Sequence, residues 1–218
     1  MRRYLSLPAA VFAPPRPGPA GRADALLLDV SARAPADLPA LKARLCARPP
    51  GGPALFLRLG GLDDPELGPR LDALMPAAPE GLVLPGLRRG ADLADLGSRL
   101  AVAEAEHGRP DGATRILGWL DNAAGLLAAG PLAGASPRLC ALAWDPAALA
   151  AELGAAPCDT AGALIPPLAQ ARALLRLAAA AAGVEAVDVG DDGTAFWAAA
   201  RRDGFGAGCV RVGGGADA

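Results

Sequence analysis

The chain has 218 residues, with 20 Arg against a single Lys, and its charges nearly cancel at −2. That balance excludes the concentrated basic surface that nucleic acids or anionic membranes require, and at 52% hydrophobic the chain is too apolar to be disordered. With Lys42 as its one lysine, Schiff-base and P-loop chemistry have almost no candidate.

The N-terminal MRRYLSLPAAVFAPP carries arginines before an apolar run, but that run is too short and too interrupted by Pro for a secretory signal. The stretch from Leu164 to Val189 is likewise broken by Pro, charge and Gly183 before a membrane span accumulates. Cys46, Cys140, Cys158 and Cys209 lie far apart with no CxxC spacing, which reads as reduced core thiols and a cytoplasmic protein.

Eight short apolar runs bounded by turn residues follow in chain order: YLSLP, ALLLDV, ALFLRLG, GLVLPG, RILGWLD, LCALAWD, VEAVDVG and GCVRVGG. Several lack polar alternation, as strands covered on both faces do. Between them lie segments of helical period. ADLPALKARLCAR puts Leu38, Leu41 and Leu45 on one face. DDPELGPRLDALM is expected to open with Asp64 as N-cap and Pro65 as first helical residue. GADLADLGSRLAVAEAEHG and LIPPLAQARALLRLAAAAAG are the longest helical segments, and TAFWAAARRDG ends on Gly204 as a C-cap. Strand starts recur every 20 to 45 residues or so, the length of a strand plus a returning helix. The pattern predicts an α/β fold, a TIM (β/α)₈ barrel in one domain over residues 1–218. An open doubly wound sheet is the alternative, but it would carry a Gly-rich fingerprint where this chain reads LPAAVFAPP. Two connections are weak: the first is too rich in Pro for a helix, and the ending GGGADA leaves no eighth helix, so a partner chain is expected to cover that side.

In such a barrel the chemistry gathers at the carboxyl ends of the strands. Asp29, Arg58, Asp121, Asp145 and Asp188 occupy those positions. Carboxylates there suit a divalent hard cation, and a guanidinium gives a two-pronged match to a substrate carboxylate. Asp121 and Asp145 also precede helical segments, so each is equally a candidate N-cap. Arg58 is costly inside an apolar strand without an anionic partner. His107 lies at a polar helix end and pairs with no nucleophile, Arg88–Arg89 reads as a solvated loop, and Trp119 and Trp144 read as core.

The order of segments resembles the HpcH/HpaI aldolase and citrate lyase beta-subunit-like family. GRADALLLDVSARA, LRLG, GLVLPGL, WLDNAAG, ALAWDPAALAAELG, AAGVEAVDVGD and DGFGAGCVRVG stand where that family has GADAVILDLEDAV, VRVN, GIVLPKV, LIETARG, ALAFGxxDLAADLG, AAGxPAIDGVY and LGFDGKxxIHP. The resemblance implies a TIM barrel, Mg²⁺, and carbon–carbon bond cleavage or formation in small oxo- or hydroxy-acids or their CoA thioesters. It also implies an oligomer. Carried over residue by residue, it makes Arg58 substrate-binding and puts the metal-binding Glu at Asp121. The second metal ligand falls on Ala148, leaving Asp145 as its nearest replacement, and a proton acceptor would have to be Asp29, Asp188 or a metal-bound water. Several family positions differ: Ser31 and Ala32 replace acids, Gly86 replaces a lysine, Asn122 and Ala124 replace Thr and Arg, and Ala207–Gly208 replaces Gly–Lys. Two readings follow, a divergent Mg²⁺-dependent lyase or aldolase and a catalytically inactive relative serving as a structural or regulatory subunit.

Overall fold

A computed structural model describes residues 1–9 and 23–211. The eight apolar runs form eight strands: β1 (Arg2–Pro8), β2 (Ala25–Asp29), β3 (Ala54–Arg58), β4 (Gly81–Leu84), β5 (Arg115–Leu120), β6 (Leu139–Trp144), β7 (Glu185–Gly190) and β8 (Ala207–Arg211). Each pairs in parallel with the next, and β1 closes on β8, so the sheet is a closed barrel in sequence order. The open-sheet alternative is thereby excluded.

The missing polar alternation has a direct cause. Leu26, Leu28, Leu55 and Leu57 are buried with Leu27 and Phe56, so both faces of β2 and β3 are covered, one by the barrel interior and one by helices. Among the described residues seven helices supply the outer layer: α1 (Leu38–Cys46), α2 (Leu67–Leu74), α3 (Gly90–Glu106), α4 (Ala123–Leu127), α5 (Pro146–Glu152), α6 (Pro166–Ala182) and α7 (Thr194–Arg202). Each long helix buries one stripe, Leu93, Leu96 and Leu100 on α3 and Leu168, Ala171 and Leu175 on α6. At about 1.5–3 kcal/mol for each buried leucine, these stripes hold the helices to the sheet. At the amino end of the barrel, Tyr4 stacks on Phe56 with centroids 6.2 Å apart and donates from its hydroxyl to Glu185 at 2.7 Å.

One helix boundary differs in detail from the sequence reading. Helix α2 begins at Leu67, not Pro65, because Asp64 closes a turn: its carboxylate accepts the Glu66 N–H at 2.9 Å and its carbonyl accepts the Leu67 N–H at 3.0 Å. Gly204 does take the left-handed conformation after α7, at φ +81°. The Pro-rich first connection (residues 10–22) and the expected missing eighth helix (212–218) lie outside the described residues. All four cysteines are free, but only Cys209 is buried, and Cys46 and Cys158 are exposed, so the expectation of four core thiols fails for those two. Burial pushes the Cys140 thiol up to about 11 and the Cys209 thiol up to about 12, which makes both poor nucleophiles. Among the described residues no helix is long and apolar enough to cross a membrane.

Candidate active site

The carboxyl ends of the strands surround a cavity of about 410 Å³ whose lining includes Ser6, Asp29, Arg58, Trp119 and Arg211. Strand register sets the charged groups. Asp29 pairs with Arg58 across β2 and β3, and Ser6 pairs with Arg211 across β1 and β8. Asp121 and Asp145 each stand one residue beyond the paired Leu120 and Trp144, so their carboxylates leave adjacent strand ends.

Arg58 occupies the centre. Its Nε lies 3.8 Å from Asp29 and its Nη2 lies 4.0 Å from Asp121, and the guanidinium sits 6.0 Å from the Trp119 ring centroid. Those separations steer charge but exceed hydrogen-bond length. Among the described residues Arg58 donates no hydrogen bond, although its side chain is only 31% exposed. The Trp119 indole Nε1 is likewise buried without an acceptor. An unfilled guanidinium in a cavity wall is what an oxygen-rich ligand needs.

Each carboxylate is held in place by its own loop. Asp29 accepts from the Ser31 hydroxyl at 2.6 Å and the Ser31 N–H at 2.9 Å. Asp121 accepts the Gly86 N–H at both oxygens, 3.0 and 3.2 Å, and the Asn122 side-chain amide at 3.1 Å. Gly86 reaches this position at φ +67°, a conformation glycine adopts without cost. Asn122, not Asp121, caps α4 by accepting the Gly125 N–H at 2.8 Å. Gly125 is dictated by close approach: a Cβ there would lie 1.9 Å from the Leu87 carbonyl oxygen. Asp145 caps α5, its Oδ1 accepting the N–H groups of Ala147 and Ala148, each at 3.1 Å. Its Oδ2 forms an ion pair with Arg211.

Asp188 is not brought to this cavity. On β7 it points to the helix layer, where Arg172 of α6 donates to it from Nε at 2.9 Å and Nη2 at 2.6 Å, and the Trp144 indole donates at 2.9 Å. Strand alternation explains this, since the neighbouring Val187 and Val189 take the opposite face. Trp144 is core as expected. His107 closes α3 and contacts Asp72 at 2.9 Å, and Asp92 accepts from the backbones of Arg88 and Arg89, fixing that pair at the start of α3. Arg211 is the residue the sequence reading missed. The signal was available: it is an arginine at the end of an apolar strand, the same feature that singled out Arg58.

Among the described residues no group of three or more His, Cys, Asp or Glu side chains forms a ready-made metal cage. A magnesium ion does not require one, since it is usually held by one or two carboxylates and completes its shell with water and substrate oxygens. Asp121 and Asp145 fit that demand, with hard oxygen donors on neighbouring strand ends, although Asp145 Oδ2 is paired with Arg211. Asp29, Asp121 and Asp145 against Arg58 and Arg211 leave one negative charge in excess. A divalent cation with one substrate carboxylate would bring that sum to zero.

A closed eight-stranded parallel barrel with helices between its strands is a TIM-type barrel. The sequence profile described as HpcH/HpaI aldolase/citrate lyase matches residues 19–203, and the chain belongs to that family. A citrate lyase subunit beta from Leuconostoc mesenteroides subsp. cremoris is 32% identical over 93 residues, which is 43% of this chain and 31% of that subunit. The chain therefore matches less than a third of that relative's length. Among solved structures, RipC from Yersinia pestis superposes with a TM-score of 0.71 at 28% identity, covering 97% of this chain and 89% of RipC. A citrate lyase beta subunit from M. tuberculosis, complexed with oxaloacetate and magnesium, superposes with a TM-score of 0.71 at 23% identity, covering 95% of this chain and 90% of that one. At that identity the second likeness speaks for the fold alone.

Proposed function

We propose that the barrel mouth is the active site of a divergent citrate lyase beta-subunit-like lyase or aldolase. It would be Mg²⁺-dependent and act on a small oxo- or hydroxy-acid or its CoA thioester. The observation that carries this reading is Arg58, an arginine with unfilled donors in the cavity wall, flanked by the fixed carboxylates of Asp29 and Asp121. The M. tuberculosis protein bound to magnesium and oxaloacetate supports the choice of ligand class.

Arg58 binds the substrate carboxylate. Asp121 and Asp145 would hold the metal, which would supply stabilisation of the negative charge that develops on the substrate oxygen during carbon–carbon cleavage. Asp29 accepts the substrate hydroxyl proton, with the Ser31 hydroxyl and N–H keeping its carboxylate oriented. Asn122 and the Gly86 N–H fix Asp121 from both sides, so the geometry is set before any ligand arrives. Asp188 takes no part in these steps, since Arg172 and Trp144 occupy it.

Four unpaired thiols suit a reducing compartment, which supports a cytoplasmic location. An apolar groove beside Leu127 and Leu153, both exposed, supports assembly with further copies or a paralogous subunit. The second reading, a relative without turnover, is favoured by Arg211 lying on Asp145 and by glycine at position 86. Calorimetric titration with Mg²⁺ tests the first reading. Wild type should bind at millimolar metal and Asp121→Ala should bind at least about tenfold more weakly. Absence of binding, or binding that ignores Asp121→Ala, overturns it.

A further inference from the structure

Arg211 stands apart from the other charged groups of the mouth. It ends β8, its side chain is 49% exposed, and it pairs with Asp145 Oδ2, while the other oxygen of Asp145 is committed to the α5 N-terminus. Oδ2 is therefore the position at which Asp145 can meet a second cation, and Arg211 already holds it. The same guanidinium lines the cavity that contains Arg58. The charged residues in that lining are Asp29, Arg58 and Arg211, an excess of one positive charge, with Asp29 tied to Ser31. A ligand that engages Arg58 through one carboxylate leaves Arg211 as the second cationic wall group.

We infer that Arg211 is a specificity-determining residue that exchanges partners. It rests on Asp145 before ligand binds, and moves to the distal carboxylate of a dicarboxylate when a divalent cation takes Asp145 Oδ2. The inference rests on the reading of Asp121 and Asp145 as metal-holding residues. Its physical basis is competition between cations for one carboxylate oxygen. A guanidinium on Oδ2 weakens metal binding both by occupying the lone pairs and by like-charge repulsion. Drawing Arg211 away with a second carboxylate removes both penalties, so metal and dicarboxylate must strengthen one another by the same factor. A monocarboxylate satisfies Arg58 alone and leaves Arg211 where it was. The mouth thereby selects for two acid groups without a third arginine.

Calorimetry with Mg²⁺ on wild type, Arg211→Gln and Arg211→Lys tests this, each protein first shown to keep the wild-type circular dichroism. L-malate and L-lactate are the probes, sharing a hydroxy-acid head and differing in the distal carboxylate. Removing the guanidinium should tighten Mg²⁺ alone about tenfold in Arg211→Gln, with Arg211→Lys close to wild type. In wild type, saturating L-malate should tighten Mg²⁺ at least about fivefold and L-lactate less than about twofold, a difference that Arg211→Gln should abolish. Equal Mg²⁺ affinity in wild type and Arg211→Gln, or equal effects of malate and lactate in wild type, would refute the exchange while leaving the metal site standing. No Mg²⁺ binding by any of the three proteins would remove the metal reading and this inference with it.

Discussion

Replacing Asp188 separates a structural carboxylate from a catalytic one. The side chain is 2% exposed and accepts from Arg172 through two nitrogens and from the Trp144 indole. Asp188→Ala strands the buried indole N–H, at about 1–3 kcal/mol. It also takes one carboxylate from a half-buried guanidinium, a loss that reaches about 3–5 kcal/mol when no partner remains. Arg172 still holds Asp203 at 2.6 Å, and its face still packs on Phe205 with 4.6 Å to the ring centroid, which moderates the second loss. The two together should come to about 3–5 kcal/mol. For a chain of this size that is a fall in Tm of roughly 10 °C, since each kcal/mol shifts the midpoint by about 2–4 °C. Asp188→Asn keeps the shape and one acceptor and should cost about half as much. Thermal unfolding by circular dichroism reads the stability, and Mg²⁺ calorimetry below the transition reads the site. A variant with wild-type Tm and abolished metal or ligand binding would refute the placement of Asp188 in the helix layer.

Three further outcomes follow from particular contacts. Gly125→Ala drives a methyl group against the Leu87 carbonyl, so it should destabilise by at least about 1–3 kcal/mol and weaken Mg²⁺ binding through displacement of Asn122 and Asp121; an unchanged melt would contradict the close approach. Burial pushes the Glu104 carboxyl up, but hydrogen bonds from Arg138, Thr114 and Gly112 outweigh it and leave its pKa below the ordinary glutamate value. Its contribution to stability is therefore complete above the unfolded value of about 4.3 and is lost as pH falls through the depressed folded value. The difference in unfolding free energy between wild type and Glu104→Gln should accordingly hold steady above about pH 5 and shrink below about pH 4. In a thiol titration of the native protein, Cys46 and Cys158 should react at once, while Cys209 reacts only on unfolding.

The barrel was legible in the sequence because parallel strands buried on both faces leave uninterrupted apolar runs, and because the runs from β2 to β7 are each followed by a segment of helical period. Position along a strand was legible too: Asp29, Arg58, Asp121 and Asp145 all end strands and all stand around the mouth. Which face a residue takes was less so. Asp188 differs from Asp145 only in parity, and its true partners, Arg172 and Trp144, lie far away in the chain. Arg211 escaped notice because it ends the last strand, next to the glycines of the terminus, although an arginine in GCVRVGG poses the same question as one in ALFLRLG. The capping of α4 by Asn122 in place of Asp121 rests on a single residue of offset at a helix start, where either side chain offers a suitable oxygen.

The most direct test of the account is a crystal structure of the protein soaked with Mg²⁺ and oxaloacetate. A metal should appear bound to the carboxylates of Asp121 and Asp145, with a ligand carboxylate on Arg58 and Arg211 displaced from Asp145. A mouth with no metal and Arg211 still on Asp145, under conditions where oxaloacetate is bound elsewhere or not at all, would contradict it.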